Sequence, residues 1–155
     1  MTDPYRLISQ TQAAYARAID DDQLEQWSDF FADPCTYRVT SAASHRDGLP
    51  GGIVYCTSRG MLKDRISALR EANIYERHSY RHILGAPYIV AERGSHVDSE
   101  TAFMVARIMH TGETALFATG KYIDTYVIEA GQARIESRLV VCDSSRVDTL
   151  LVIPL

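Results

Sequence analysis

At 155 residues the chain is long enough for a single domain with a core of its own, and a hydrophobic content of 46% excludes a disordered chain. A formal net charge of −4 and a pI near 5.7 give no electrostatic reason to expect nucleic acid or an anionic membrane as partner. The opening "MTDPYRLISQ" lacks the apolar run of a signal peptide, and no stretch reaches the length of a membrane span. Cys35, Cys56 and Cys142 are odd in number and scattered, so the reading is reduced thiols in a cytoplasmic protein.

No internal repeat or low-complexity linker divides the chain, which is read as one domain over 1–155. A first helix is predicted after Pro4, with Ile8, Tyr15 and Ile19 near one face. "DDDQLEQWSDFF" predicts a second, shorter helix. Asp22 and Glu25 have the spacing of a capping box, and Leu24, Trp27 and Phe31 make its buried stripe. Asp33-Pro34 should end it, because the residue before a proline is pushed out of helical geometry. "CTYRVT" alternates and is rich in β-formers, which predicts a first strand; "SAASHRDGLPGG" reads as loop and "IVYCT" as a short second strand. Ser58 can cap a third helix running to about Asn73, with Leu62, Ile66 and Leu69 inward and Arg59, Lys63 and Arg70 outward. From there the pattern is β: "HSYRHILG", "ETAFMVARIMHT", "ALFATGKYIDTYVI" and "ARIESRLVVCD" are long runs, with "HTGET" and "EAGQ" as tight connections. Helices gathered in front of a meander of antiparallel strands define an α+β fold, with the sheet curved round the helices into a cone. "LLVIPL" must be buried somewhere, either as a last strand of the sheet, the preferred reading, or against another subunit.

The chain resembles the small (β) subunits of Rieske non-haem iron ring-hydroxylating dioxygenases, and the similarity runs nearly end to end. It is carried by "IDDDQLEQWSDFFADPCTYRVT", "SRGMLKDRISALREANIYERHSYRHILG", "FMVARIMHTGET", "FATGKYIDTY" and "VCDSSRVDTLLVIPL". Within the family, "DRISALREANIYERHSYRHILG" and "FMVARIMHTGET" look most like the terephthalate branch. The resemblance implies the cone of the nuclear transport factor 2-like and scytalone dehydratase superfamily, built of helices against a curved antiparallel sheet. It also implies a non-catalytic structural subunit with no cofactor of its own. The expected partner is a large (α) subunit carrying a Rieske [2Fe–2S] cluster and a mononuclear iron, three of each subunit forming a hexamer. A separate reductase would bring electrons from NADH, and the substrate would be an aromatic acid.

The residues themselves can be asked whether they carry chemistry. A Rieske centre needs paired Cys-x-His spacings, and none of the three cysteines is followed by one. No G-x-G-x-x-G occurs to support a dinucleotide site. Glu76, His78 and His82 fall on one strand face and have the types of a two-histidine, one-carboxylate iron site. Histidines four apart on a strand are separated by about 13 Å, too far for one metal. The rival to the subunit reading is a free-standing dehydratase or isomerase using the mouth of the cone, for which Asp29, Tyr37, His78 and His110 are the candidate acid–base groups. The segment "REANIYERHSYRHILG" is better read as a gripping surface. Arginine and tyrosine are enriched where proteins meet, so Tyr75, Arg77, His78, Tyr80, Arg81 and His82 are the candidate subunit-interface residues.

Overall fold

Helix α1 (Pro4–Asp20) starts as the sequence requires. The Asp3 carboxylate accepts from the Tyr5 N–H at 3.1 Å, and Pro4 fills a first-turn position where a missing N–H costs nothing. Its buried stripe is Ile8, Gln12, Tyr15, Ala16 and Ile19, spaced three and four apart. The computed structural model describes residues 3–50, 52–71, 75–146, 151 and 153–155.

The second helix is a 3-10 helix, Leu24–Phe30, and the expected capping box does not form. Asp22 adopts a left-handed φ of 61°, and its carboxylate accepts from the Arg70 guanidinium at 2.9 Å. Glu25 accepts from Arg70 Nε at 2.8 Å, which leaves neither side chain to cap. Three residues per turn stack Leu24, Trp27 and Phe30 in one line against the core, so the tighter helix suits the spacing. Asp33-Pro34 does not end this helix. It is a cis peptide inside strand β1 (Phe31–Ser41), which begins four residues before the predicted start. Part of the expected loop is the short helix α2 (Ala42–Arg46), where the Ser41 hydroxyl accepts from the Ser44 N–H. β2 (Val54–Cys56) follows, then α3 (Arg59–Glu71), where the Ser58 hydroxyl accepts from the Met61 N–H and Leu62, Ile66 and Leu69 are buried. The predicted end at Asn73 lies outside the described residues.

The remaining strands are β3 (His78–Leu84), β4 (Tyr88–Arg93), β5 (His96–Met109), β6 (Thr114–Glu129) and β7 (Gln132–Cys142). Strand order is β2-β1-β7-β6-β5-β3, with β4 also on β5, so β3 and β4 lie end to end along one edge of β5. The sheet is mixed rather than wholly antiparallel: β1 runs parallel to β7, and every other pairing is antiparallel. Bulges at Val105/Ala106 and Thr125/Tyr126 bend the long strands. "EAGQ" makes the β6–β7 hairpin with positive φ at both Ala130 (52°) and Gly131 (74°), the geometry whose twist matches the flanking strands.

α1, the 3-10 helix and α3 lie in the concave face of this curved sheet, and the core forms between them. The last described residues are inside it. Leu151, Ile153, Pro154 and Leu155 are buried and belong to no strand, which corrects the expectation of a last strand; Leu150 and Val152 lie outside the described residues. Among the described residues no helix is long and apolar enough to cross a membrane.

Candidate functional site

The inside of the cone is where a small-molecule site would be expected, and its polar groups are many. β6 turns Tyr122, Asp124 and Tyr126 inward, and β7 turns Arg138 inward directly opposite Asp124. Arg138 donates from Nε to Asp124 Oδ1 at 2.9 Å and from Nη2 to Oδ2 at 2.8 Å, a bidentate pair with neither side chain exposed. Nη2 also donates to the Tyr126 hydroxyl at 3.0 Å. The Gln12 amide donates to the same hydroxyl and to Thr101, tying α1 to the sheet. The guanidinium lies 3.8 Å from the centre of the Tyr122 ring and 4.4 Å from that of Tyr15, a cation held between aromatic faces. Burial is the largest single influence on Arg138 and works against its charge, but the Asp124 carboxylate and the hydroxyls around it together hold its pKa well above the usual arginine range. Burial pushes Tyr15, Tyr37, Tyr122 and Tyr126 upward, so all four are neutral hydroxyls.

The segment around Leu155 occupies the rest of this space. Tyr15 and Tyr37 both donate to the Leu155 carbonyl oxygen, at 2.8 and 3.1 Å, and the Leu155 N–H donates back to the Tyr37 hydroxyl. Trp27 Nε1–H donates to the Tyr15 hydroxyl at 2.9 Å. Tyr15 and Tyr37 are therefore spent on the chain's own backbone, whereas the Tyr122 and Ser99 hydroxyls and Arg138 Nη1 are buried with no hydrogen-bond partner among the described residues. The arrangement ties α1, the sheet and the segment around Leu155 into one core.

The four residues of the acid–base alternative are not brought together. Asp29 is exposed on the outer side of the 3-10 helix, paired with Arg59 at 3.1 Å, whereas Tyr37 is in the core. His78 and His110 meet at one rim, where Glu76 accepts toward both: its carbonyl lies 2.8 Å from His78 Nδ1 and its carboxylate 3.5 Å from His110. Nor do Glu76, His78 and His82 form a metal set. The Tyr80 ring stands between the two histidines, at 5.5 and 6.1 Å, and His82 Nδ1 is committed to Asp20 at 2.7 Å. Among the described residues no group of three or more metal-ligating side chains converges. Burial pushes the Cys35 and Cys142 thiols up to about 11 and raises Cys56, so all three are protonated near neutral pH.

Strand alternation divides the six candidate interface residues. Tyr80 and His82 are buried inside this chain, and Tyr80 stacks on Phe117 at 5.3 Å, so neither is a surface contact. His78 and Tyr75 are half-buried and pack edge to face. Arg77 and Arg81 point outward, Arg81 only loosely held by Asp20 at 3.8 Å. Asp20 also accepts from the His82 N–H, which caps the open edge of β3. The interior pair Arg138–Asp124 is absent from the residues that sequence reasoning singles out.

A curved mixed sheet closed over α1 and the 3-10 helix is the SnoaL-like architecture, and residues 3–139 match the SnoaL-like domain. The chain is 53% identical to the terephthalate 1,2-dioxygenase terminal oxygenase component subunit beta 1 of Comamonas sp over 148 residues, 96% of each chain. It is 40% identical to the anthranilate 1,2-dioxygenase small subunit of Burkholderia cepacia, over 96% of this chain and 92% of that one. The crystal structure of the β subunit of a candidate aromatic-ring-hydroxylating dioxygenase from Novosphingobium aromaticivorans superposes with a TM-score of 0.90 at 38% identity, covering 97% and 96% of the two chains. The chain belongs to the SnoaL-like family and, within it, to the small subunits of aromatic-ring-hydroxylating dioxygenases, which are oxidoreductases.

Proposed function

We propose that this chain braces the large subunits of a cytoplasmic dioxygenase whose substrate is terephthalate. The large subunit carries the Rieske [2Fe–2S] cluster and the mononuclear iron, three of each subunit assemble, and a reductase draws two electrons from NADH. The reaction adds both atoms of O2 to the ring as a cis-diol, consuming those electrons and two protons. The observation that carries the bracing role is the end-to-end similarity to dioxygenase small subunits, and it is supported by a cone centre in which Leu155 sits under Tyr15 and Tyr37. Arg77 and Arg81, with Tyr75 and His78 behind them, are the part of the predicted gripping segment that faces outward. The terephthalate assignment is supported by the 53% identity to a terephthalate 1,2-dioxygenase subunit.

Reconstitution tests this. Large subunit, this chain and reductase with NADH are expected to convert terephthalate to its cis-dihydrodiol, and this chain alone, with or without iron, to leave it unchanged. Asp29→Asn and His110→Ala should retain turnover wherever the complex forms. A large loss of turnover in an assembled, fully metallated variant would return chemistry to this chain.

A further inference from the structure

The outward face of strand β5 is apolar from Ala102 to Ile108, while its inward face carries Phe103, Val105 and, nearer the rim, Arg107, whose guanidinium lies 5.0 Å from the centre of the Phe117 ring. Its inward residues Phe103 and Val105 are buried, as a core requires. Its outward residues are Ala102, Met104, Ala106 and Ile108, where a sheet facing water would carry polar side chains. The neighbouring strands extend the patch: Met104 stands opposite Ile83 of β3, and Ala106 lies between Arg81 of β3 and Leu116 of β6. Ile83, Met104 and Leu116 are 61%, 47% and 60% exposed. Tyr88 prolongs the stripe opposite Glu100 and is 71% exposed. A contiguous apolar stripe on the outward face of a sheet, where water would favour polar side chains, marks a surface covered by something else.

We infer that this outer face of β3, β5 and β6 is the dock for the large subunit, a chain of different sequence that presents an apolar centre and a carboxylate toward Arg81. The inference rests on the bracing role proposed above. Charge selects the partner. A second copy would bring another Arg81 to the face, where Glu100 is already bound by Lys121 at 2.8 Å and Asp143 accepts from the Thr119 hydroxyl at 2.9 Å. Arg81 has its nearest acid, Asp20, at 3.8 Å and keeps a largely exposed head, so it has capacity for an acid supplied from outside. It also belongs to the outward part of the gripping segment, which makes the two surfaces continuous.

The test is a Met104→Glu/Leu116→Glu variant, with Met104→Gln/Leu116→Gln as the milder form and Lys63→Glu on the outward face of α3 as the charge control. Affinity for the large subunit is measured beside thermal unfolding and sedimentation of the small subunit alone. The expected result is about a hundredfold weaker association for the double glutamate variant, a smaller loss for the glutamine variant, and normal folding and control. A folded variant that assembles as tightly as the parent chain overturns the dock and leaves the bracing role standing. A parent chain that binds no Rieske large subunit overturns the bracing role itself. A parent chain that self-associates through this face, with a monomeric variant still binding the large subunit normally, assigns the face to a second copy and overturns the inference.

Discussion

Arg138 is a full charge with no exposed side-chain surface, and its retention depends on Asp124. Removing one partner of such a pair leaves the other buried and uncompensated, which costs about 3–5 kcal/mol. Arg138→Met is therefore expected to destabilise the chain by that amount in urea denaturation. Adding Asp124→Leu should restore much of the loss, because two apolar residues of similar size need no solvation; a double variant no better than the single would show that the pair is not the source. Part of this was open to reading from sequence. The alternation in "YIDTY" puts Asp124 on the same face as the buried Tyr122 and Tyr126, a carboxylate in an aromatic row. Its partner could not be read, because the Asp124–Arg138 pairing depends on the β6–β7 register, and that register shifts at Thr125/Tyr126. The same limit misplaced Tyr80 and His82. Composition marks them as gripping residues, and only the pairing of β3 with β5 shows which face they take.

At the scale of elements, the segments with strong local patterns were legible: α1, α3 and the long strands β5, β6 and β7 all stand where their periodicity put them. Elements decided by distant contacts were not. The 3-10 helix depends on Arg70 taking both candidate capping carboxylates across 45 residues or more. The parallel β1–β7 pairing joins segments roughly a hundred residues apart with no local sign. β4 is short and mostly exposed; "YIV" carries a β-forming signal, but its pairing with the first half of β5 has no local sign. The β6–β7 pair also contains a contact that only glycine permits. A Cβ on Gly120 would lie 2.0 Å from the Val141 carbonyl oxygen, backbone that cannot step aside. Gly120→Ala is expected to lower stability by at least about 2 kcal/mol through overpacking. Gly85→Ala, where the nearest atom would be at an ordinary 3.5 Å, should be close to neutral. Thermal unfolding of the two variants side by side checks this, and equal transitions would show that β6 and β7 can separate without cost.

For the molecule as a whole, the segment around Leu155 decides how the cone is finished. Its apolar composition demanded burial, but composition does not say where, and the interior of the chain's own cone proved to be the place. Each of Leu151, Ile153 and Leu155 contributes about 1.5–3 kcal/mol by leaving water. The sum is comparable to the whole stability of a domain this size. A chain ending at Arg146 is therefore expected to lose cooperative unfolding and to bind a hydrophobic dye. Leu155→Ala in the full chain should stay folded at a cost of about 2–5 kcal/mol. A truncated chain that melts as sharply as the parent would show that the segment is ornament. The Tyr15–Leu155 contact spans 140 residues, and Trp27 and Tyr37 close on the same point. During synthesis those aromatic groups leave the ribosome long before the carbonyl they hold, and contacts so far apart in sequence form late. A nascent chain thus has its helices and most of its sheet while its centre is still open to water. The centre of the cone is therefore expected to be the last part of the molecule to become rigid, after its helices and hairpins have formed.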